Sequence, residues 1–194
     1  MSPLPSGTLE TRRLLLEPLG VEHAARLFVM LCDRELYQFI PQEPPESIAL
    51  LEERYRRRSV GRSPDGSQVW LNWAMRLRST EEYVGTLEST VLSDRTALIA
   101  YTVFAAFRGR GYATEASRCV IELLFSVGEV HTVVADIDTR NVASIHVAEA
   151  LGFQRVGQTA NADFFKGTAS DEYKYELRSN HPRALERDSC VAPS

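Results

Sequence analysis

The stretch FRGRGYATEAS at residues 107–117 limits this chain more than any other. A largely apolar run, ALIAYTVFAA, precedes it, and beyond it Ala113, Ala116, Val120, Leu123, Leu124 and Val127 recur at helical spacing. A strand must therefore become a helix within a few residues, through a corner that carries Gly109 and Gly111. Glycine at such a corner serves a sharp turn or a close approach of backbone to something else. The new helix offers unpaired N–H groups and the positive end of its dipole. Arg108 and Arg110 add charge, and Thr114 adds a hydroxyl. Together they suit an anion, phosphate above all.

The flanking sequence fixes the setting of that corner. RRLLLEPL reads as a first strand ended by Pro18, and VEHAARLFVML as a helix. PPESIALLEERYRRRSVG reads as a second helix, with Glu46 or Ser47 near its start and Gly61 near its end. Three strand-like runs follow, QVWLNWAMRLR, EYVGTLESTVL and TALIAYTVF, joined by the short polar links STEE and SDR. Links of that length make hairpins, so this part of the sheet is expected to be antiparallel. After the corner and its helix, to about Val127, come the strand HTVVADID and the helix NVASIHVAEAL. Asn141 stands where it caps that helix, and Gly152 where it stops it. FQRVGQTA and EYKYELR supply the last strands. The expectation is an α/β domain with antiparallel strands first and a strand–helix–strand unit at its centre.

At 194 residues the chain suits one domain with a sizeable core. MSPLPSG reads as a loose leader and SNHPRALERDSCVAPS as a polar, aperiodic tail. Residues 1–10 are thus expected to precede the domain, 11–178 to form it, and 179–194 to attach loosely. A net charge of −4 argues against a nucleic-acid partner, which needs a basic face. Cys32, Cys119 and Cys190 have no paired spacing and read as reduced, neither a disulfide framework nor a zinc site, and no metal is expected. No apolar run approaches the ~18 residues of a membrane span, so a soluble, cytoplasmic protein without a membrane partner is expected.

Three phosphate-binding patterns compete for the corner. A P-loop needs G-x-x-x-x-G-K-[ST], and no Lys-Ser/Thr pair is present. A dinucleotide fingerprint comes closer, with Gly109-x-Gly111 and Asp136 on the following strand, but Thr114 stands at the third glycine and AAFR separates strand from glycines. The third pattern takes residues 108–113, RGRGYA, as R-x-x-G-x-A. This resembles the pyrophosphate loop of the GNAT superfamily of acyl-CoA N-acyltransferases. ADIDTRNVASIHVAEALGF resembles the segment that follows in that family, where a strand ends, an Asn follows and a helix closes on Leu-Gly-Phe. GRGYATEAS with DTRNVASIHVAEALGF resembles more narrowly the branch of the ribosomal-protein alanine N-acetyltransferases and many small-molecule acetyltransferases. TRRLLLEPLGVEHAARLF and ADFFKG…DEYKYEL resemble its opening and close, so the likeness runs from about Thr11 to Leu177.

That resemblance implies a mixed, mostly antiparallel twisted sheet whose central parallel strand pair splays apart, flanked by helices. It also implies acetyl-CoA as acyl donor. The pantetheine arm would pair with the backbone of Thr102, Val103 and Phe104. The backbone of Arg108, Gly109, Arg110, Gly111, Tyr112, Ala113 and Thr114 would cradle the pyrophosphate, and Asn141 and Ser144 would lie beside the thioester. A carboxamide suits that place because it both donates and accepts.

The family's proton-moving groups are altered in this chain. The helix Tyr that often protonates the leaving thiolate is replaced by Ala148, which leaves Ser144, one turn earlier, as the nearest hydroxyl. The strand Glu of the branch is replaced by Leu98, and Glu88 in GTLESTV becomes the candidate base. An acid in mid-strand is costly unless it faces a wet cleft. His146 and the pair Asp171 and Glu172 are weaker candidates. The acceptor is expected to be a small-molecule or peptide amine, which the negative net charge would steer if cationic. A non-catalytic acyl-CoA-binding sensor or scaffold is the alternative. Monomer and homodimer stay equally open.

Overall fold

The computed structural model describes residues 7–126 and 130–179. Its strands are β1 (Leu9–Glu10), β2 (Leu14–Pro18), β3 (Gln68–Leu77), β4 (Tyr83–Leu92), β5 (Thr96–Val103), β6 (Thr132–Asp138), β7 (Gln154–Phe165) and β8 (Thr168–Arg178). The helices are α1 (His23–Leu31), α2 (Ile48–Arg58), α3 (Tyr112–Ser126) and α4 (Val142–Leu151). One sheet runs in the order β1-β2-β3-β4-β5-β6-β8-β7. Every neighbouring pair is antiparallel except β5 and β6. The expected mixed, mostly antiparallel sheet with a central parallel pair is thus the fold of the chain.

Local chemistry sets the element ends. Ser47 caps α2 by accepting from the Leu50 N–H, and Asn141 caps α4 through Oδ1 and the Ser144 N–H. Gly152 closes α4 in the left-handed region at φ 91°, where a residue with a Cβ is strained. A 3-10 turn at Arg34–Tyr37, capped by Asp33, was not legible in the sequence pattern. β7 and β8 are longer than their apolar patterns indicate, because much of β7 is exposed and so carries no alternation to read. The sheet begins at Leu9, two residues before the boundary read at residue 11, because Leu9 and Glu10 pair with Leu16 and Leu15. Residues 1–6, 127–129 and 180–194 lie outside the described residues, and with them most of the expected leader, the Val127 end of the expected helix and nearly all of the tail. Among the described residues no helix is long and apolar enough to cross a membrane.

Helices cover both faces of the sheet. Leu71, Trp73, Leu87, Val133 and Tyr175 meet α3 and α4 through Tyr112, Ala116, Val120, Leu124 and Leu151 in the larger core. On the opposite face Ala74 and Phe104 meet α1 and α2 through Ala24, Leu27, Leu51 and Tyr55. Strand alternation then decides which side chains of β4, β5 and β6 face which layer. Cys32 is a free thiol, and Cys190 lies outside the described residues.

Candidate active site

The parallel pair holds together only at its start. Thr96, Ala97 and Leu98 pair with Thr132, Val133 and Val134, and beyond them β5 continues on β4 while β6 continues on β8. A wedge opens between them. The ladder shows which backbone groups line it, since opposed antiparallel residues alternate between bonded and unbonded pairs. Phe104 N–H donates to Val84 O, so Phe104 by its N–H, and two residues back Thr102, bond to β4, while Phe104 O accepts from the Phe107 N–H. Tyr101 and Val103 turn theirs into the wedge. On β6 the bonded pairs with β8 run through His131 and Thr139, which leaves Asp136 facing the wedge. Of the three strand residues read as pantetheine partners, only Val103 therefore turns its backbone toward the wedge, its N–H open there and its O accepting from Arg108 Nε. Thr102 does not, nor does the Phe104 N–H, and Tyr101, whose backbone does face the wedge, is not singled out by the sequence because parity along a ladder cannot be read from composition.

The wedge leads directly to the glycine corner. Gly109 and Gly111 both lie in the left-handed region, at φ 72° and 79°. They turn the chain so that α3 begins at Tyr112, and the Glu115 N–H is bonded to Gly111 O. The first-turn N–H groups of Tyr112, Ala113 and Thr114 precede that bond and have no carbonyl within the helix. Arg13 holds the corner from beneath. Its Nε donates to Glu115 at 2.6 Å and its Nη1 to Arg110 O at 2.9 Å. Its guanidinium also lies 4.6 Å from the centre of the Tyr112 ring. Burial alone would raise the Glu115 carboxyl, but the Thr11 hydroxyl and Arg13 bring it below its ordinary value. This clamp joins residues about a hundred positions apart, so no local pattern announces it. The arginines read as phosphate ligands are aimed elsewhere at the side-chain level. Arg108 reaches Val103 O and Glu35, and Arg110 lies 5.7 Å from the Phe107 ring centre.

A cavity of about 120 Å³ fills the wedge, lined by Ile99, Tyr101 and Ala135 from the strands and Asn141, Ser144 and Ala148 from α4. Asn141 spends its Oδ1 on the helix cap, so the structure gives it the local role while its Nδ2 remains available. Ser144 and Ala148 are one turn apart on the same helix face. Phe39 and Ile40 also line the cavity. The loop that carries them is tied to the tip of the β7–β8 hairpin by Lys166, whose Nζ donates to Ile40 O at 2.7 Å and Gln42 O at 3.1 Å.

On the face of the sheet away from α3 and α4, carboxylates flank the wedge. Glu88 on β4 stands opposite Ala100, and its Oε1 is paired with Arg58 of α2. Burial pushes the nearby Tyr55 phenol up, and the charge of Glu88 adds to the push. Across the gap, register places Asp136 and Asp138 beside Lys174 and Glu172. Asp138 is buried and accepts from the Arg140 side chain and from Ser170 Oγ; chiefly through Arg140 its carboxyl falls to about 2. Glu172 moves the opposite way, raised by burial first and then by Asp136, Asp163 and Asp138. Glu88 and Ser144 thus stand on opposite faces beside one gap. Leu98, at the strand-Glu position, lies on the Glu88 face, 37% exposed.

The sequence model of the family described as acetyltransferase (GNAT) domain matches residues 13–154. Uncharacterized N-acetyltransferase YoaA of Bacillus subtilis (strain 168) is 26% identical over 171 residues, covering 87% of this chain and 95% of that protein. The structure of the microcin C7 self immunity acetyltransferase MccE, in complex with acetyl-CoA and AMP, superposes with a TM-score of 0.77 at 17% identity, over 87% of this chain and 93% of its own. Spermidine N-acetyltransferase from Vibrio cholerae, in complex with CoA and spermine, gives 0.74 at 18% identity, over 89% and 98%. Both structures share the fold described above.

Proposed function

The chain belongs to the GNAT acetyltransferase family, and from that premise we propose that it moves the acetyl group of acetyl-CoA directly to a primary amine of a small molecule or a protein N-terminus. The observation that carries this reading is the wedge itself, a sheet that opens between β5 and β6 directly before a left-handed glycine corner. An amide-bearing arm finds unpaired strand edges there, and a pyrophosphate finds the N–H groups of Gly109 to Thr114, the Arg108 N–H being bonded to Ala105 O. The donor is a substrate, and the residues present fit it without a metal.

Each residue has a task in this reading. Val103 and Tyr101 hold the arm by their backbone, and Asn141 and Ser144 stand beside the thioester. The amine enters from the carboxylate-lined face, where Glu88, Asp136 and Glu172 favour a cation. Glu88 takes the amine proton, directly or through one water. Its Oε2 carries no hydrogen bond among the described residues, while Arg58 fixes its Oε1. Ser144 hydrogen-bonds the departing sulfur. We place the catalytic unit at 9–178, with the acetyl donor and the amine as its partners.

The test is release of CoA thiol against a panel of amines. Turnover with at least one amine is expected, and acetyl-CoA binding without turnover on any of them would favour a sensor or scaffold instead. Glu88→Gln is expected to lower kcat/KM by roughly 10²–10⁴-fold, with a smaller effect at high pH, where the amine loses its proton unaided. Full activity of Glu88→Gln at neutral pH would move the base elsewhere, with Glu172 next in line.

A further inference from the structure

The Tyr101 hydroxyl is buried and has no hydrogen-bond partner among the described residues, and the side chain lines the wedge cavity together with Ser144 and Ala148. A buried phenol that stays unpaired is costly, and such groups need an explanation. Strand parity aims Tyr101, with Ile99 and Val103, toward the α3 and α4 layer, where all three pack against the larger core. The small Ala148 leaves room there for the phenol ring. Ser144 has its N–H bonded to Asn141 and its Oγ bonded to nothing among the described residues. Ser117 of α3, 1% exposed, brings a second unpartnered hydroxyl to the same cavity. The hydroxyl missing from the helix at 148 is thus present on the strand at 101, beside the same serine.

We propose that Tyr101 is the positioning residue behind Ser144: once the acyl donor fills the wedge, its O–H donates to Ser144 Oγ and so turns the serine proton toward the sulfur of the donor. The inference rests on the acetyl-transfer reading. In the step it serves, the amine nitrogen bonds to the thioester carbonyl carbon, and the carbon–sulfur bond breaks with its electron pair leaving on sulfur. The amine proton goes to the base or to water. The sulfur receives the serine hydrogen bond, and Tyr101 keeps its own proton throughout. Burial raises the phenol and outweighs the opposite pull of Ser144, which keeps Tyr101 a donor across the working pH range.

Tyr101→Phe separates this role from a packing role, because it keeps the ring and removes only the hydroxyl. With the best amine of the panel, kcat is expected to fall about 10–100-fold, the worth of a hydrogen bond to a charged group, while KM for acetyl-CoA stays within about twofold. Without ligand, Tyr101→Phe is expected to melt at the wild-type temperature or about 2–4 °C above it, since an unpaired buried hydroxyl has gone. Ser89→Ala removes another unpartnered buried hydroxyl, from β4 outside the cavity lining, and is expected to keep wild-type kcat. Unchanged kcat in Tyr101→Phe against an active wild type overturns the inference, as does a melting temperature lowered by more than about 4 °C. A wild type that acetylates no amine overturns the acetyl-transfer reading itself, a result distinct from either of these.

Discussion

Gly85 on β4 is the tightest point in the sheet, and filling it tests whether the wedge depends on where β5 stands. An ideal Cβ at Gly85 would lie 1.9 Å from Thr102 O, 2.9 Å from Thr102 C and 2.7 Å from Met75 Cε. The methionine end can swing away, but the carbonyl belongs to the backbone of β5. Ordinary contact begins near 3.4 Å, so that carbonyl must retreat by about 1.5 Å. A retreat of that size breaks the ladder bond Thr102 shares with Thr86, a loss of about 1 kcal/mol. Overpacking adds about 1–3 kcal/mol. Gly85→Ala is therefore expected to destabilise by about 2–4 kcal/mol, or about 4–16 °C in melting temperature for a domain of this size. The displaced strand also moves toward β6 and narrows the wedge, so the melting shift given by saturating acetyl-CoA should shrink. Gly157→Ala on β7 is the control, because its Cβ would meet nothing closer than Lys174 Cβ at 4.0 Å. Thermal melts of the three proteins, with and without acetyl-CoA, decide the matter. If Gly85→Ala melts within about 2 °C of wild type and keeps the full ligand shift, the reasoning is wrong.

Acetyl-CoA at ~100 times its dissociation constant should add about 2.7 kcal/mol to the stability of the wild type, and Gly111→Val should abolish that gain. A β-branched side chain is strained at φ 79°, and its Cβ would stand 3.4 Å from Arg13 Nη2. Arg110→Ala should only weaken the gain, measured in the same melts, since its guanidinium lies over Phe107 and its carbonyl, which the substitution keeps, holds Arg13. Asp138 has a folded-state carboxyl near 2 against an ordinary value of 3.8, so its stabilisation is complete above about pH 4 and lost as pH falls through the folded value. Denaturant melts at pH 6 and pH 2.5 should show that loss in the wild type, on the order of 2 kcal/mol in full, and Asp138→Asn should lose it at both.

What could be read from the sequence was the part fixed by local chemistry. Gly109 and Gly111 mark the corner because only residues without a Cβ take its backbone angles cheaply, and the same reason puts Gly152 at the end of α4. Ser47 and Asn141 are caps because a short polar side chain reaches the first-turn N–H groups. The antiparallel order of β3, β4 and β5 follows from links too short for any crossover. The unread part consists of pairs between distant positions. Arg58 meets Glu88 across thirty residues and Lys166 meets the loop at Ile40 and Gln42 across more than a hundred, and neither side of either pair carries a mark of its partner. The backbone role of Thr102 and Phe104 was misassigned for a related reason. A ladder bond from Phe104 to Val84 fixes the parity of the whole strand, and parity is a property of the pair.

The wedge shows how these two kinds of information combine. A strand between two neighbours normally bonds to both, and an inner edge left open inside a sheet forfeits several hydrogen bonds. β5 and β6 forfeit theirs after Leu98 and Val134, although each is fully paired on its outer side. The cause lies at the far ends of the two strands. β5 runs out into the turn at 105–107 and the glycine corner, which Arg13 and Glu115 bind toward β2. β6 ends on Asp138, which Ser170 ties to β8 and Arg140 locks into the turn before α4. Each strand is held to its own side, and neither can swing back to close the gap. Releasing one anchor should therefore weaken donor binding even where no residue touching the donor is changed. Arg13→Ala is the direct case: it removes the side-chain contact with Glu115 and the bond to Arg110 O while leaving the glycines and the backbone bond of residue 13 to Glu115 in place. If acetyl-CoA stabilised Arg13→Ala as much as the wild type, the corner would hold its shape from its own backbone alone, and the anchoring assigned to Arg13 would be wrong.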